Sequence, residues 1–92
     1  MLDIKAILPL HEFNDAVKPL LKRAIDGYRS NNYSDDTLVI VANKSVCKAI
    51  KNDADLNFSN FIVAPESVGT KIQSLVNYAV GQIETKYFMV IE

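Results

Sequence analysis

Polar side chains follow several of the apolar runs in this sequence, at positions where a binding protein or an enzyme could use them. His11 and Glu12 follow the first run, Asn43 follows the second and Glu92 ends the fourth. In an open parallel sheet, ligands bind just outside the carboxyl ends of the strands. The spacing of these residues therefore predicts a ligand site at one edge of a sheet.

Two of these side chains have chemistry that suits such a site. His11 would lie in the loop after the first strand, where it could titrate or stack on a ring. A lone histidine without a visible partner could equally be a loop residue that makes only local hydrogen bonds. A carboxylate at Glu92 could hold a divalent cation that is bound to phosphates. One carboxylate is an incomplete metal site, so Mn²⁺ or Mg²⁺ would need ligands beyond residue 92. Otherwise we expect no cofactor.

Two further segments stand at predicted helix starts, where free backbone N–H groups can bind phosphate. Residues 43–45 read Asn-Lys-Ser, and residues 67–70 read Ser-Val-Gly-Thr. The glycine spacing matches neither a dinucleotide-binding loop nor a P-loop. Ser67 is therefore interpreted as an ordinary N-cap, and Lys44, Lys48 and Lys51 as a solvated face.

Composition restricts the possible classes of protein. The chain has 92 residues, of which 49% are hydrophobic and 23% charged, and its net charge is −1. These values suit one small globular domain and give no field that favours nucleic acid or a membrane. Cys47, the single cysteine, has no disulfide partner in the chain and is interpreted as a buried structural thiol. We expect a cytoplasmic protein, because no segment has the length of a signal peptide or a membrane span.

The apolar patterns alternate between two periods. Strand-like runs cover residues 3–10, 37–42, 61–64 and 86–91, and helical patterns lie within 13–28, 45–51 and 67–83. Asn14 is a plausible N-cap, and Pro19 fits a first turn, so the first helix should begin near Lys18. Gly27 and the polar run at residues 29–36 should close it and form a loop. The alternation predicts an α/β fold: a three-layer α/β/α, Rossmann-like domain with a mostly parallel four-stranded sheet of order 3-2-1-4.

The apolar positions of these elements predict a core on both faces of the sheet. We expect the following residues to be buried: Ile7, Leu8, Leu21, Ile25, Val39, Val41, Ile62, Val63, Ile72, Leu75, Val76, Ala79, Phe88 and Val90. The fourth strand would lie at a sheet edge while being long and apolar. Exposed apolar edges invite pairing, so we expect self-association through this strand or a missing partner segment.

Both ends of the chain resemble one enzyme family. Ile7-Leu-Pro-Leu-His-Glu12 is similar to the I-I-P-V-Y-N pattern that ends the first strand of family 2, GT-A-fold glycosyltransferases. Residues 77–80 and 86–92 keep the family's spacing between an asparagine, a tyrosine and a final acid, as in N-A-G-L-x-x-A-x-G-E-Y-I-x-F-L-D. The chain thus resembles the N-terminal half of such an enzyme, as part of a longer protein.

This resemblance implies binding of a nucleotide-diphospho-sugar, with Glu92 in the place of the first acid of a D-x-D motif that holds Mn²⁺ or Mg²⁺ on the diphosphate. In the family, that metal stabilises the leaving diphosphate during sugar transfer. The residues that the resemblance places at the nucleotide-sugar are Pro9, His11, Glu12, Asn43, Ser45, Gly69 and Asn77.

Three departures weaken the likeness. Residues 42–45 read Ala-Asn-Lys-Ser where the family has D-D-G-S, Val76 replaces an arginine, and Glu92 replaces an aspartate. The rest of the metal motif, the acceptor site and the catalytic base would lie beyond residue 92. We therefore expect the isolated chain to be catalytically incomplete, with no catalytic residue of its own.

A second resemblance points to a different class. Residues 1–13, Met-Leu-Asp-Ile-Lys-Ala-Ile-Leu-Pro-Leu-His-Glu-Phe, are also similar to the start of T-even-type bacteriophage proteins described as inhibitors of the prohead protease. This likeness implies a non-enzymatic head-assembly or inhibitor protein that keeps a glycosyltransferase-like fold and acts through protein contacts. The sequence leaves both alternatives open, and it leaves open a fragment whose boundary has no biological meaning.

Overall fold

The computed structural model describes residues 4–69, 71–83 and 87–90. Four strands and three α-helices alternate along them: β1 (Ile4–Pro9), α1 (Lys18–Ser30), β2 (Leu38–Asn43), α2 (Lys44–Lys51), β3 (Phe61–Ala64), α3 (Ile72–Gln82) and β4 (Tyr87–Val90). Two 3₁₀ turns, Asp35–Thr37 and Glu66–Val68, precede β2 and α3. The predicted α/β class is confirmed.

All strand pairings in the described residues are parallel. β2 lies between β1 and β3, with Ile7 beside Val39 and Val41 beside Ile62. β4 lies along the other edge of β1, where Ile7 is beside Val90. Parallel strands have their carboxyl ends at one edge, so the loops that follow β1 and β2 emerge side by side.

The two faces of the sheet bury different sets of side chains, because successive strand residues point to opposite faces. The α1/α2-side core contains Ala6, Leu8, Leu21, Ile25, Tyr28, Leu38, Ile40, Ala42, Cys47, Ile50, Leu56 and Phe58. The α3-side core contains Ile7, Val39, Val41, Ala64, Leu75 and Ala79. Helices therefore cover both faces. No helix in the described residues combines the length and the hydropathy that a membrane crossing requires.

The start of α1 agrees with the sequence, and its end does not. The Asn14 side chain accepts hydrogen bonds from the N–H groups of Ala16 and Val17, both at 3.0 Å, and Pro19 lies in the first turn of a helix that begins at Lys18. The helix continues to Ser30, past Gly27 and two residues into the polar run at 29–36 that was predicted to close it. The Ser30 hydroxyl donates to the Gly27 carbonyl at 2.9 Å, so a polar side chain rather than glycine completes the last turn.

The predicted start of α3 at Ser67 is also wrong. Ser67 lies inside the short 3₁₀ turn, and α3 begins at Ile72 with Lys71 as its N-cap residue. Gly69 separates the two with φ +82° and ψ −165°, a backbone conformation that is essentially restricted to glycine. A helix cannot pass through that conformation, which explains the later start.

The predicted core is largely correct around β1, β2 and the inner side of α3. Ile7, Leu8, Leu21, Ile25, Val39, Val41, Leu75 and Ala79 are buried, and Ile62 and Val76 are half-buried. Three predictions are wrong, because Val63, Ile72 and Val90 are 49%, 43% and 38% exposed. Val63 and Val90 lie on edge strands, and Ile72 is the first residue of its helix, so each lacks neighbours on one side. The side chain of Phe88 is outside the described residues.

Ion pairs connect both ends of α1 to neighbouring loops. Lys18 Nζ lies 3.0 Å from Asp53 Oδ2 and 2.9 Å from Asp55 Oδ2, and these contacts raise the pKa of Lys18 and lower that of Asp53. Arg29 donates two hydrogen bonds to the Asp35 carboxylate, at 2.9 and 2.7 Å. Because α1 is held at both ends, its first turn has a fixed position over the end of β1.

Candidate functional site

A cavity of about 560 Å³ lies at the carboxyl end of β1. A helix that follows a parallel strand runs back along it, so α1 and α3 both begin at this edge of the sheet. Their first turns meet the end of β1 around the cavity. The lining residues are Leu8, Pro9, Leu10, His11, Val17, Leu20, Leu21, Ala24 and Ile72.

His11 gives this cavity its polar character, because the other described residues that line it are apolar. Its side chain is 52% exposed, and its Nε2 lies 3.4 Å from Oε1 of Glu12. Pro9 is buried as the last residue of β1. An apolar surface with an imidazole ring at its mouth suits a planar or apolar group. No lysine or arginine is among the described residues that line this cavity, so it offers no obvious partner for a phosphate.

A second cavity, of about 320 Å³, lies where β2 passes into α2, and its lining is charged. Lys44 and Lys48 line it together with Asn43, Ser45 and Glu66. Within the described part of the chain, neither lysine forms an ion pair. Lys44 is the first residue of α2 and Lys48 lies one turn later. Two ammonium groups and the helix N-terminus favour an anion, and the Glu66 carboxylate opposes one.

The side chain of Asn43 lacks hydrogen-bond partners that its position would lead one to expect. It is the N-cap residue of α2, yet its side chain makes no capping hydrogen bond. Its Oδ1 is buried without a hydrogen-bond partner among the described atoms. Asparagine is among the best N-cap residues, so this side chain could accept a hydrogen bond from a ligand or turn to cap the helix.

The two cavities lie at the carboxyl ends of β1 and β2, which are adjacent strands of the sheet. Pro9 is paired with Val41, and the N–H of Leu10 donates to the Val41 carbonyl at 3.0 Å. Asn43 follows Val41 by two residues on the adjacent strand. Pro9 at the end of β1, with His11 and Glu12 in the loop after it, thus lies at the same edge of the sheet as Asn43 at the end of β2 and Ser45 in the first turn of α2.

The remaining predicted site residues lie elsewhere. Gly69 ends the 3₁₀ turn Glu66–Val68 and lines neither cavity. Asn77 lies on the exposed side of α3, where its Oδ1 accepts a hydrogen bond from Gln73 Nε2 at 3.1 Å. Glu92, the predicted metal ligand, is outside the described residues.

Several residues that line these cavities escaped the sequence prediction of a site, among them Leu20, Ile72, Lys48 and Glu66. Leu20 and Ile72 read as ordinary members of apolar helical stripes, and no local signal marks them as cavity walls. Lys48 could have been found, because it lies one turn after Lys44 on the same side of α2. Glu66 lines the cavity because it lies in the 3₁₀ turn Glu66–Val68. The sequence predicts a helix over residues 67–83 instead, so it does not indicate this turn.

Two other candidate chemistries find little support. Cys47 is buried, its thiol lies 3.5 Å from the Ala42 carbonyl oxygen, and burial raises its pKa, which disfavours the reactive thiolate. Over residues 4–69, 71–83 and 87–90, no three side chains of histidine, cysteine, aspartate or glutamate come together as a metal site. The described residues therefore do not themselves assemble a metal centre.

Comparisons with known proteins identify no relative of this chain. The sequence matches no protein-family model. Searches among curated proteins and among solved structures also return no match. A functional assignment therefore depends on the geometry of the two cavities and on the residue resemblances.

Proposed function

We propose that this chain is a nucleotide-diphospho-sugar-binding domain of the glycosyltransferase type, catalytically incomplete as it stands. The proposal includes the finer fold assignment: a three-layer, Rossmann-like domain whose sheet has the order 3-2-1-4. One observation carries it. The end of β1 and the starts of α1 and α3 surround an apolar cavity, and a lysine-lined cavity lies at the end of β2, the strand beside β1.

The two cavities divide the chemistry of a nucleotide between them. An uncharged base and ribose suit the apolar cavity, where His11 can stack on a ring. A diphosphate suits the first turn of α2, where backbone N–H groups and the ammonium groups of Lys44 and Lys48 favour negative charge. Asn43 lines the lysine-lined cavity, and its buried Oδ1 can accept a hydrogen bond from a ligand hydroxyl or N–H group.

A metal ion would be a further requirement for sugar transfer. Mn²⁺ or Mg²⁺ needs several oxygen ligands, and the residue proposed for it, Glu92, lies outside the described part of the chain. The Glu66 carboxylate lines the lysine-lined cavity, and none of the other described residues that line it is acidic. We therefore propose binding and assign no catalytic step to this chain.

A nucleotide titration followed by amide NMR tests the proposal. Uridine diphosphate, added at constant ionic strength with and without Mn²⁺ or Mg²⁺, should shift the signals of His11, Asn43 and Ser45. The diamagnetic Mg²⁺ experiment gives the shifts, and Mn²⁺ adds line broadening near the metal. No shift at millimolar nucleotide, with either metal, would contradict nucleotide binding.

A matched pair of lysine variants locates the phosphates. Lys48 lines the charged cavity, whereas Lys51 is exposed at the end of the same helix. Lys48→Ala should weaken the nucleotide about fivefold, the loss expected for an exposed ionic contact of ~1 kcal/mol. Lys51→Ala should leave the affinity unchanged. Equal losses in both variants would indicate a general effect of charge.

A second function, non-enzymatic binding of a protein partner, is favoured by the rim of the apolar cavity. Leu20 is 63% exposed and Ile72 is 43% exposed, and both line it. Clustered exposed apolar side chains mark protein contacts. This alternative includes inhibition of a phage prohead protease. It predicts that the chain inhibits the purified protease, that Leu20→Asp abolishes inhibition, and that nucleotide causes no shifts.

A further inference from the structure

The lysine-lined cavity at the end of β2 carries charges of both signs. Lys44 and Lys48 line it from α2, and Glu66 lines it from the turn after β3. Its volume, about 320 Å³, is within the range of small-molecule sites. Within the described part of the chain, Glu66 forms no ion pair with either lysine. The opposite charges therefore do not neutralise each other, and both are available to a ligand.

The backbone that carries Glu66 has a defined place at the edge of the sheet. Ala64, the last residue of β3, is paired with Asn43, so the end of β3 lies beside the start of α2. The turn that follows is closed by a hydrogen bond from the Val68 N–H to the Pro65 carbonyl at 3.0 Å. Val68 also packs against the α3-side core. Glu66 thus leaves the sheet one strand beyond Asn43.

The strand order gives a direction to an elongated ligand. β1, β2 and β3 are successive strands of the sheet, and the apolar cavity, the two lysines and Glu66 follow their carboxyl ends in that order. A nucleotide-diphospho-sugar is also linear, with the diphosphate between the nucleoside and the sugar. A base in the apolar cavity and a diphosphate at Lys44 and Lys48 would place the sugar at the end of β3, beside Glu66.

We propose that Glu66 contacts the sugar of the bound nucleotide-diphospho-sugar and restricts it to sugars that carry no carboxylate. This inference rests on the proposed nucleotide binding and adds to it the class of sugar. An ionised carboxylate accepts hydrogen bonds from sugar hydroxyls and pairs with an ammonium group, whereas it repels a second carboxylate. Neutral hexoses and amino sugars therefore fit this end of the cavity, and uronic acids do not. Repulsion of a competing ligand is a general source of specificity.

Three ligands that share a base, a ribose and a diphosphate test this specificity. At low ionic strength, the unmodified chain should bind uridine diphosphate-glucose about fivefold more tightly than uridine diphosphate-glucuronate. Uridine diphosphate-glucosamine should bind at least as tightly as the glucose compound. The preference should shrink at high salt, because Glu66 is exposed. Equal affinities for the glucose and glucuronate compounds at low salt would overturn the proposal.

Variants of Glu66 assign the preference to its charge. Glu66→Gln should bring the ratio of the two affinities close to one, and Glu66→Lys should reverse it in favour of the glucuronate compound. Asp26→Asn removes the same charge from an exposed position on α1 that lines neither cavity, so it should keep the fivefold ratio. If Glu66→Gln tightened both compounds by the same factor, the carboxylate would act on the diphosphate, and the proposal would be wrong. Circular dichroism confirms that each variant is folded.

Uridine diphosphate without a sugar separates this inference from the proposed function. If it binds while the three sugar compounds show equal affinities, nucleotide binding stands and the role of Glu66 is rejected. If neither uridine diphosphate nor any of the sugar compounds binds, both proposals are rejected.

Discussion

Gly69 is the residue whose backbone most strictly limits substitution. At φ +82° and ψ −165° it occupies a region that side chains with a Cβ rarely adopt, although a Cβ there has no atom within 4 Å. Gly69→Ala should therefore lower the free energy of unfolding by about 1–3 kcal/mol through backbone strain alone. Urea denaturation measures it.

Gly81 is the matched control for that substitution. It is exposed within α3, its φ is not positive, and a Cβ there also meets no atom within 4 Å. Gly81→Ala should raise the free energy of unfolding by about 0.5–1 kcal/mol, since alanine favours the helix. If both variants changed stability in the same direction, backbone conformation would not explain the effect at Gly69.

Local chemistry explains which single residues could be predicted from the sequence. The turn around Asn14 and the position of Pro19 follow from one side-chain acceptor and one missing N–H, so the start near Lys18 is correct. Gly27 and the polar run after Tyr28 predict an earlier end of α1, because a glycine near the end of a helix usually marks a C-cap. The competing bonds to the Gly27 carbonyl come from Ser30 and Asn31, and composition does not distinguish these outcomes.

At the scale of elements, the Arg29–Asp35 contact connects α1 to the turn before β2. Arg29 also donates to the Asn57 carbonyl at 3.0 Å, in the loop before β3. Its two hydrogen bonds to the carboxylate hold the pKa of Asp35 below its ordinary value. One side chain thus joins three segments at the amino edge of the sheet.

The pH dependence of this contact has a definite sign. The pKa of Asp35 is lower in the folded than in the unfolded chain, so its contribution to stability is complete above about pH 4. It disappears as the pH falls through the folded pKa. Arg29→Met should cost about 1 kcal/mol at pH 7, and the difference from the unmodified chain should shrink at pH 3. Urea denaturation at the two pH values measures both differences.

A control for that experiment lies on the same helix. Lys22 and Asp26 form an exposed pair at 3.7 Å, so Lys22→Met should change the free energy of unfolding by less than about 0.5 kcal/mol at either pH. If Arg29→Met lowered the free energy of unfolding equally at pH 7 and pH 3, the charge of Asp35 would not explain the loss. The hydrogen bond to Asn57 and packing would then account for it.

Element boundaries and core positions follow the sequence only where periodicity is strong. β2 and the buried residues Leu75 and Ala79 of α3 were predicted from apolar period alone. Leu56 and Phe58 were missed, although they are 2% and 4% exposed, because they lie in the polar segment predicted as a loop. They reach the α1/α2-side core through tertiary packing, and no period of a helix or strand marks them.

The same limit applies to the candidate site. The polar edge could be predicted, because strands that alternate with helices place their carboxyl ends together. The apolar cavity could not, since it forms where the first turns of two helices from opposite faces approach β1. Leu20 and Ile72 belong to distant parts of the sequence and meet only through that packing.

At the scale of the whole molecule, the two cores share one sheet. β1 contributes Leu8 to the α1/α2-side core and Ile7 to the α3-side core, and β2 contributes Ile40 and Val41 in the same way. Neither core can lose its packing unless β1 and β2, which also support the other core, separate. Small domains of this size usually unfold in a single transition, and here the alternation of strand residues supplies the reason.

Cooperative unfolding can be tested with one substitution on each face. Ile7→Val and Ile40→Val each remove one buried methylene and should each cost about 0.5–1.5 kcal/mol. Tyr28 belongs to the α1/α2-side core and Tyr78 packs against the α3-side core, so their ring signals in NMR report the two faces separately. In urea, both tyrosines and far-UV circular dichroism should give one midpoint, and each variant should move it for all three probes together. If Ile7→Val moved the transition of Tyr78 while that of Tyr28 stayed in place, the two faces would be independent folding units, and the shared sheet would not couple them.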